Sequence, residues 1–228
     1  MNWQRLTGRF LVLDGPDGAG KSTQARLLQD DLRQKGLDTL LVRDPGATPI
    51  GEQIRSILLD HQNNEMSVRC EALLYMASRA QLYEQAIKPA LAQGCCVLCD
   101  RWVSSTYAYQ AVAGKIGPDY VLQLADAALE RTWPDLTLII DLPSDVGLQR
   151  AAQRAAAPAP SDVSPDKTNT SKPLDRIEQR PADYHQRVRQ AFLHLAQTRD
   201  DFSVIDGAGS VDDVHRRVYE ALQHYVTA

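Results

Sequence analysis

Five short apolar runs punctuate the chain, at Phe10–Asp14, Thr39–Arg43, Cys95–Asp100, Leu136–Leu142 and Phe202–Asp206. Each is nearly continuous rather than alternating, which predicts strands covered on both faces, as in a parallel sheet. Between them the apolar residues switch to helical spacing. Ser22–Lys35 carries Ala25, Leu28 and Leu32 on one face and stops at Gly36, a favourable helix terminator. Ile50–Asp60 places Ile50, Ile54, Ile57 and Leu58 at helical positions. Ser67–Gln93 is longer, and Pro89 predicts a kink in it. Pro118–Glu130, Asp145–Ala156, Pro181–Thr198 and Val211–Tyr225 complete the predicted helices. Strands alternating with helices predict an α/β protein, a five-stranded parallel sheet with helices on both faces in three layers. Ligands in such a fold belong at the carboxyl ends of the strands, where Asp14, Asp100 and Asp206 stand.

One stretch departs from the pattern. Residues 155–173, A-A-A-P-A-P-S-D-V-S-P-D-K-T-N-T-S-K-P, hold almost no large apolar side chain. Such a segment cannot bury enough surface to offset its ordering entropy. Helical pattern and a strand continue beyond it, so it reads as a mobile lid insertion within a lid of about 148–178, not as a domain linker. A single domain over 1–228 is the expectation at this length.

Charge narrows the function classes. The formal net charge is −4 and the isoelectric point about 5.7, which argues against nucleic acid as a partner. No run is long enough to cross a membrane, and the first residues show no apolar leader pattern. The expectation is a cytoplasmic protein with no membrane partner. Of the four cysteines, Cys95, Cys96 and Cys99 lie in a predicted strand with no histidine nearby, and they read as small buried apolar residues rather than metal ligands.

The chemistry begins where the first strand ends. Gly15–Ser22 spells G-P-D-G-A-G-K-S, followed by Thr23 and a helical pattern. This is a P-loop: strand, glycine-rich turn, helix N-terminus. Its glycines let the backbone fold around phosphates, and the helix dipole adds positive charge there. Lys21 can reach the β- and γ-phosphates, and Ser22 can ligate Mg²⁺. Residues 15–23 thus predict a bound nucleoside triphosphate. The base-reading N-K-x-D of a GTPase is absent, and so is the L-S-G-G-Q of an ABC ATPase. A second cluster, Asp100–Gln110, opens at another strand end. Arg101 can fork onto a second phosphate, and Asp100 can join the Mg²⁺ shell.

With these residues in view, the chain resembles the thymidylate kinases of bacterial type, which are P-loop nucleoside monophosphate kinases. The resemblance rests on G-P-D-G-A-G-K-S-T (15–23), R-D-P-G-A-T (43–48), I-R-S-I-L-L-D (54–60), L-L-Y-M-A-S-R-A-Q-L (73–82), D-R-W-V-S-S-T-Y-A-Y-Q (100–110), P-D-L-T-L-I-I-D-L (134–142) and L-D-R-I-E (174–178). It implies a P-loop NTPase fold, Mg-ATP as donor, dTMP as acceptor and a homodimer, with the helix Ser67–Gln93 as candidate interface. It also assigns roles. Gly15, Pro16, Asp17, Gly18, Ala19, Gly20, Lys21, Ser22 and Thr23 would hold the ATP phosphates, with Ser22 and Asp100 toward the metal. Asp17, Lys21 and Arg101 would act in transfer, helped by the lid arginines Arg150, Arg154 and Arg176. The acceptor would meet Asp17, Pro45, Arg55, Tyr75, Arg79, Arg101, Ser105, Thr106, Tyr109, Gln110 and Tyr184. Tyr75 would stack on thymine, Arg79 would bond a base carbonyl, and Tyr109 would crowd a ribose 2′-hydroxyl. Four departures stand out: Ala47 where the family has Gly, Asp44 where it has Glu, Ala152 at a position often basic, and a longer lid. The P-loop carries Gly18 where other relatives have Arg, which shifts the cationic burden to the lid.

Overall fold

The computed structural model describes residues 2–156 and 174–227. Among them the chain runs β1 (Phe10–Asp14), α1 (Lys21–Gln34), β2 (Thr39–Arg43), α2 (Pro49–Leu59), α3 (Val68–Leu82), α4 (Lys88–Ala92) and β3 (Cys96–Asp100). It continues through α5 (Val103–Thr106), α6 (Pro118–Ala128), β4 (Leu136–Asp141), α7 (Ser144–Ala156), α8 (Ala182–Thr198), β5 (Phe202–Asp206) and α9 (Val211–Thr227). The strands form one parallel sheet in the order β2-β3-β1-β4-β5. The chain moves outward from β1 to the β2 edge, returns to β3 and then crosses to β4. The crevice for a ligand therefore opens at the end of β1, between β3 and β4.

Burial follows strand position. Every residue of β1 and β3 is buried, whereas β2 and β5 at the two edges are partly exposed. Alternate residues serve opposite layers. Leu11, Leu13, Leu98, Leu138 and Ile140 pack against Leu28 and Leu32 of α1 and Val218 and Leu222 of α9. Phe10, Val12, Val97 and Cys99 face Met76 and Leu82 of α3 and Ala125 of α6. Ile139 meets α8 through Val188 and Phe192. Each fully buried Leu, Val or Phe contributes roughly 1.5–3 kcal/mol from water exclusion.

The predicted elements are present, with boundaries that coincide or shift by at most two residues. Two features differ from the sequence reading. The long helix widens into a π segment at Tyr83–Ile87 between α3 and α4. Pro89 follows after Lys88; it has no N–H and displaces the carbonyl four residues back, which a wider turn accommodates. The second is an element that the patterning did not reveal: α5 runs on as a π segment, Tyr107–Ala113. Its Ser, Thr and Tyr residues are weak helix formers, so tertiary contacts with α8 decide its shape. The expected lid insertion at 155–173 lies outside the described residues from 157 on; Ala155 and Ala156 end α7. The three cysteines expected to be buried in or beside β3 are so, and Cys70 is exposed.

Candidate active site at the carboxyl edge of the sheet

The P-loop leaves β1 through residues only glycine readily adopts. Gly15, Gly18 and Gly20 have φ of 133°, 74° and 93°. Gly20 is the N-cap of α1, so Lys21 and Ser22 occupy its first turn. Lys21 is 5% exposed, and its Nζ donates to the Pro16 carbonyl at 2.7 Å, folding the side chain back over the loop. Burial, reinforced by the nearby Arg101 charge, pushes its ammonium down to about 8. Ser22 Oγ donates to the Asp100 carboxylate at the end of β3. That hydroxyl and carboxylate are hard oxygen donors, the chemistry Mg²⁺ accepts with few protein ligands. Among the described residues no group of three or more His, Cys, Asp or Glu gathers as a metal cage.

Asp14, fully buried at the end of β1, organises the next layer. It accepts from Gly15 N at 2.9 Å, Ser104 Oγ at 2.6 Å and Ser105 Oγ at 2.7 Å. These bonds tie the start of α5 to the P-loop. Arg101 sits between them with φ 73°. Its guanidinium donates to the Gly15 carbonyl at 3.2 Å, Ser105 Oγ at 3.1 Å and the Asp17 carboxylate, and stacks 5.4 Å from the Tyr109 ring centroid. Burial disfavours its charge, but Tyr109 and the carboxylates of Asp17 and Asp14 raise its pKa well above the usual value. Asp17 also accepts from Tyr109 OH at 2.7 Å. Burial alone would raise the Asp17 carboxyl; Arg101 and then Lys21 outweigh it and hold it below the usual range. The site thus keeps an ionised Asp17, a fixed guanidinium and a phenol within one bonded group.

Farther along the edge, Arg79 is 1% exposed and pairs with the buried Asp44 at 2.5 Å. It also donates to the Trp102 carbonyl and to Thr106 Oγ1, each at 3.1 Å. Pro45, joined to Asp44 by a cis peptide, accepts from Arg55 at 3.0 Å. Tyr75, half-buried, stands one turn before Arg79 on α3. Ala47 adopts φ 61°, the left-handed conformation that the family's glycine there predicts, and its N–H donates to Glu52 at 2.7 Å.

Gln110 and Tyr184 are buried and bonded inward. Gln110 donates to Glu71 at 2.6 Å, and Tyr184 OH donates to the Tyr109 carbonyl at 2.6 Å. The three lid arginines diverge. Arg150 lines a cavity of about 400 Å³ with Gly18, Ala19, Gly20, Thr23 and Val211. Arg154 is largely exposed and pairs with Glu178 at 2.9 Å. Arg176 is 6% exposed; it donates to the Leu58 carbonyl at 3.1 Å and pairs with Glu71 at 2.7 Å. Of these three, Arg150 alone borders the P-loop cavity in this structure. Arg176 is drawn the other way because a buried carboxylate on α3 offers it a partner.

Three residues here escaped sequence reasoning. Asp14 stands at the ligand edge in the sequence reading, which gave it no role in holding the site. Glu71 and Arg180 carried no signal. Glu71 is fully buried and takes Arg176, Arg180 and Gln110 at once, joining segments 109 residues apart.

The thymidylate kinase family model matches residues 13–218. A thymidylate kinase of Ectopseudomonas mendocina is 42% identical over 98% of this chain and 99% of its own length. One from Pediococcus pentosaceus is 41% identical over 95% and 98%. The crystal structure of thymidylate kinase from Ehrlichia chaffeensis superposes with a TM-score of 0.72 at 26% identity, covering 95% of this chain and 99% of that one.

Proposed function

The chain belongs to the thymidylate kinase family and phosphorylates dTMP to dTDP; we propose that the γ-phosphoryl of Mg-ATP arrives from the P-loop cavity and is received on the Arg101 side. The reaction asks little covalent chemistry of the protein. A phosphate monoester has a second pKa of about 6, so its oxygen is already a nucleophile at neutral pH. The work is to bring two polyanions into line and neutralise the charge between them.

Each residue then has a task. Lys21 and the amides of α1's first turn hold the β- and γ-phosphates. Ser22 and Asp100 would hold Mg²⁺, which neutralises charge on the phosphate oxygens. Arg150 borders the donor phosphates. Arg101 takes the acceptor phosphate, and Arg55 supports it. Asp17 orients Arg101 and, with Tyr109, faces the deoxyribose. Tyr75, Arg79, Ser105 and Thr106 line the base. Gln110 and Tyr184 brace this wall from behind. Arg154 and Arg176 approach the phosphoryl only if their present partners, Glu178 and Glu71, are exchanged. The observation that carries the reading is Arg101: a half-buried guanidinium, still open to the crevice and bonded to both the P-loop carbonyl of Gly15 and Asp17, is a second anion site beside a P-loop.

We also infer a cytoplasmic homodimer. Ile50 and Ile57 on α2 and Leu73 on the adjoining α3 are about half exposed, an apolar stripe suited to a second copy. No helix among the described residues is long and apolar enough to cross a membrane. The test is ADP release with dTMP, dUMP, UMP, AMP and CMP as acceptors. A strong preference for dTMP is expected, and equal rates across the panel would sink the assignment.

A further inference from the structure

The P-loop is wedged against α7 through two glycines that face each other. A Cβ on Gly18, at φ 74°, would overlap the carbonyl and Cα of Gly147. A Cβ on Gly147 would overlap the carbonyl of Asp17. Both collisions are with backbone, which cannot rotate aside as a side-chain end can. Glycine inside a helix is disfavoured relative to alanine, so its use at 147 calls for a packing reason, and close approach supplies one. Gly147 stands three residues before Arg150, one turn along the same face, and Ala151 between that face and the core is fully buried. Arg150 in turn shares its cavity with Gly18, Gly20 and Thr23. How closely α7 approaches the loop therefore sets where the Arg150 side chain starts, and a long 3.5 Å donation to the Gly207 carbonyl holds its far end.

We infer that Gly147 is a positioning residue for phosphoryl transfer: its lack of a side chain seats α7 on the Asp17–Gly18 peptide, and that seat aims Arg150 at the donor phosphates. The inference rests on the kinase reading above. It also gives Gly18 a reason of its own. In this chain an arginine at that position would have to hold a positive φ, and its Cβ would enter the backbone of α7.

The test is steady-state kinetics with melting temperatures for wild type, G147A, R150A, the G147A/R150A double variant and A152G. G147A should keep the dTMP KM within about twofold while kcat falls roughly 10–100-fold, the scale of a displaced charge. R150A should lose kcat as well, and the double variant should be no slower than R150A, because both changes remove one interaction. A152G, on the exposed face of α7, should lower the melting temperature without changing kcat. G147A with wild-type kcat and a raised melting temperature overturns the inference, and so does a double variant whose losses multiply. Should G147A not fold, R150A alone decides: full kcat there overturns it. A wild type that turns over no dTMP overturns the kinase reading instead, a result distinct from all of these.

Discussion

The proposed donor side of the active edge is nine consecutive residues, Gly15–Thr23, whose role would follow from local backbone geometry and one lysine. The proposed acceptor side is gathered from everywhere else: Asp44 and Pro45 after β2, Arg55 on α2, Tyr75 and Arg79 on α3, Arg101 after β3, Tyr109 in a π segment and Tyr184 on α8. The donor side takes its shape from its own glycines, with α7, Asp100, Arg101 and Tyr109 seated against it. The acceptor side is held by buried ion pairs, Asp44–Arg79 and the Glu71 cluster with Arg176 and Arg180. Damage to the donor side should therefore fall on chemistry, and damage to the acceptor side on chemistry and folding together.

The sharpest test of that division is Lys21→Ala. It removes the one P-loop side chain that reaches the phosphates, and kcat should fall by about 10³-fold or more, with the melting temperature of the ligand-free protein unchanged or raised. The rise is possible because a desolvated ammonium, already pushed down to about 8, disappears. A large loss of stability would break the comparison.

Glu71→Ala is the opposite case. It strands two arginines, one of them almost fully buried, and should cost roughly 3–5 kcal/mol of stability. Urea denaturation measures this. ATP binding by the folded fraction should stay near wild type, since no P-loop residue touches the cluster. A normal denaturation midpoint would show that the cluster does not hold the acceptor wall.

A smaller effect separates the two sides by pH. The lowered Lys21 pKa means the ammonium that phosphates need is partly lost in the free protein above pH 8. Bound phosphates restore it, so ATP binding must take up a proton there. The KM for ATP should rise with pH above 8, by up to about tenfold per unit, while the KM for dTMP stays flat. Calorimetry in two buffers of different ionisation enthalpy reads the proton directly; equal observed heats in the two buffers would refute it.

The smallest effect is at Ala47. Its left-handed conformation is strained for any residue with a Cβ, so Ala47→Gly should raise stability by up to about 1 kcal/mol in thermal unfolding. A loss would mean that the 2.7 Å bond from Ala47 N to Glu52 already offsets the strain and is weakened by a looser glycine.

Much of this was legible in the chain before any coordinates. Strands such as Phe10–Asp14 announce themselves because a parallel central strand is apolar on both faces, and β1 and β3 are indeed fully buried. The P-loop is legible because contiguous residues make it. The segment from Tyr107 to Ala113 was not legible as a π segment, because its backbone answers to α8 rather than to its own propensities. Arg176 reads as a lid cation because nothing near it in sequence shows a buried Glu71 at a distant position on α3.

The sequence by itself determined the fold class, the phosphate loop and the family, all of which rest on short-range order: apolar period, glycine spacing and motif. Tertiary structure alone decided which charges are free to meet a substrate. A guanidinium's role depends on the partner that relieves its desolvation, and the partners of Arg101, Arg79 and Arg176 are Asp17, Asp44 and Glu71, each brought from a distant part of the chain by the packing of helices on the sheet.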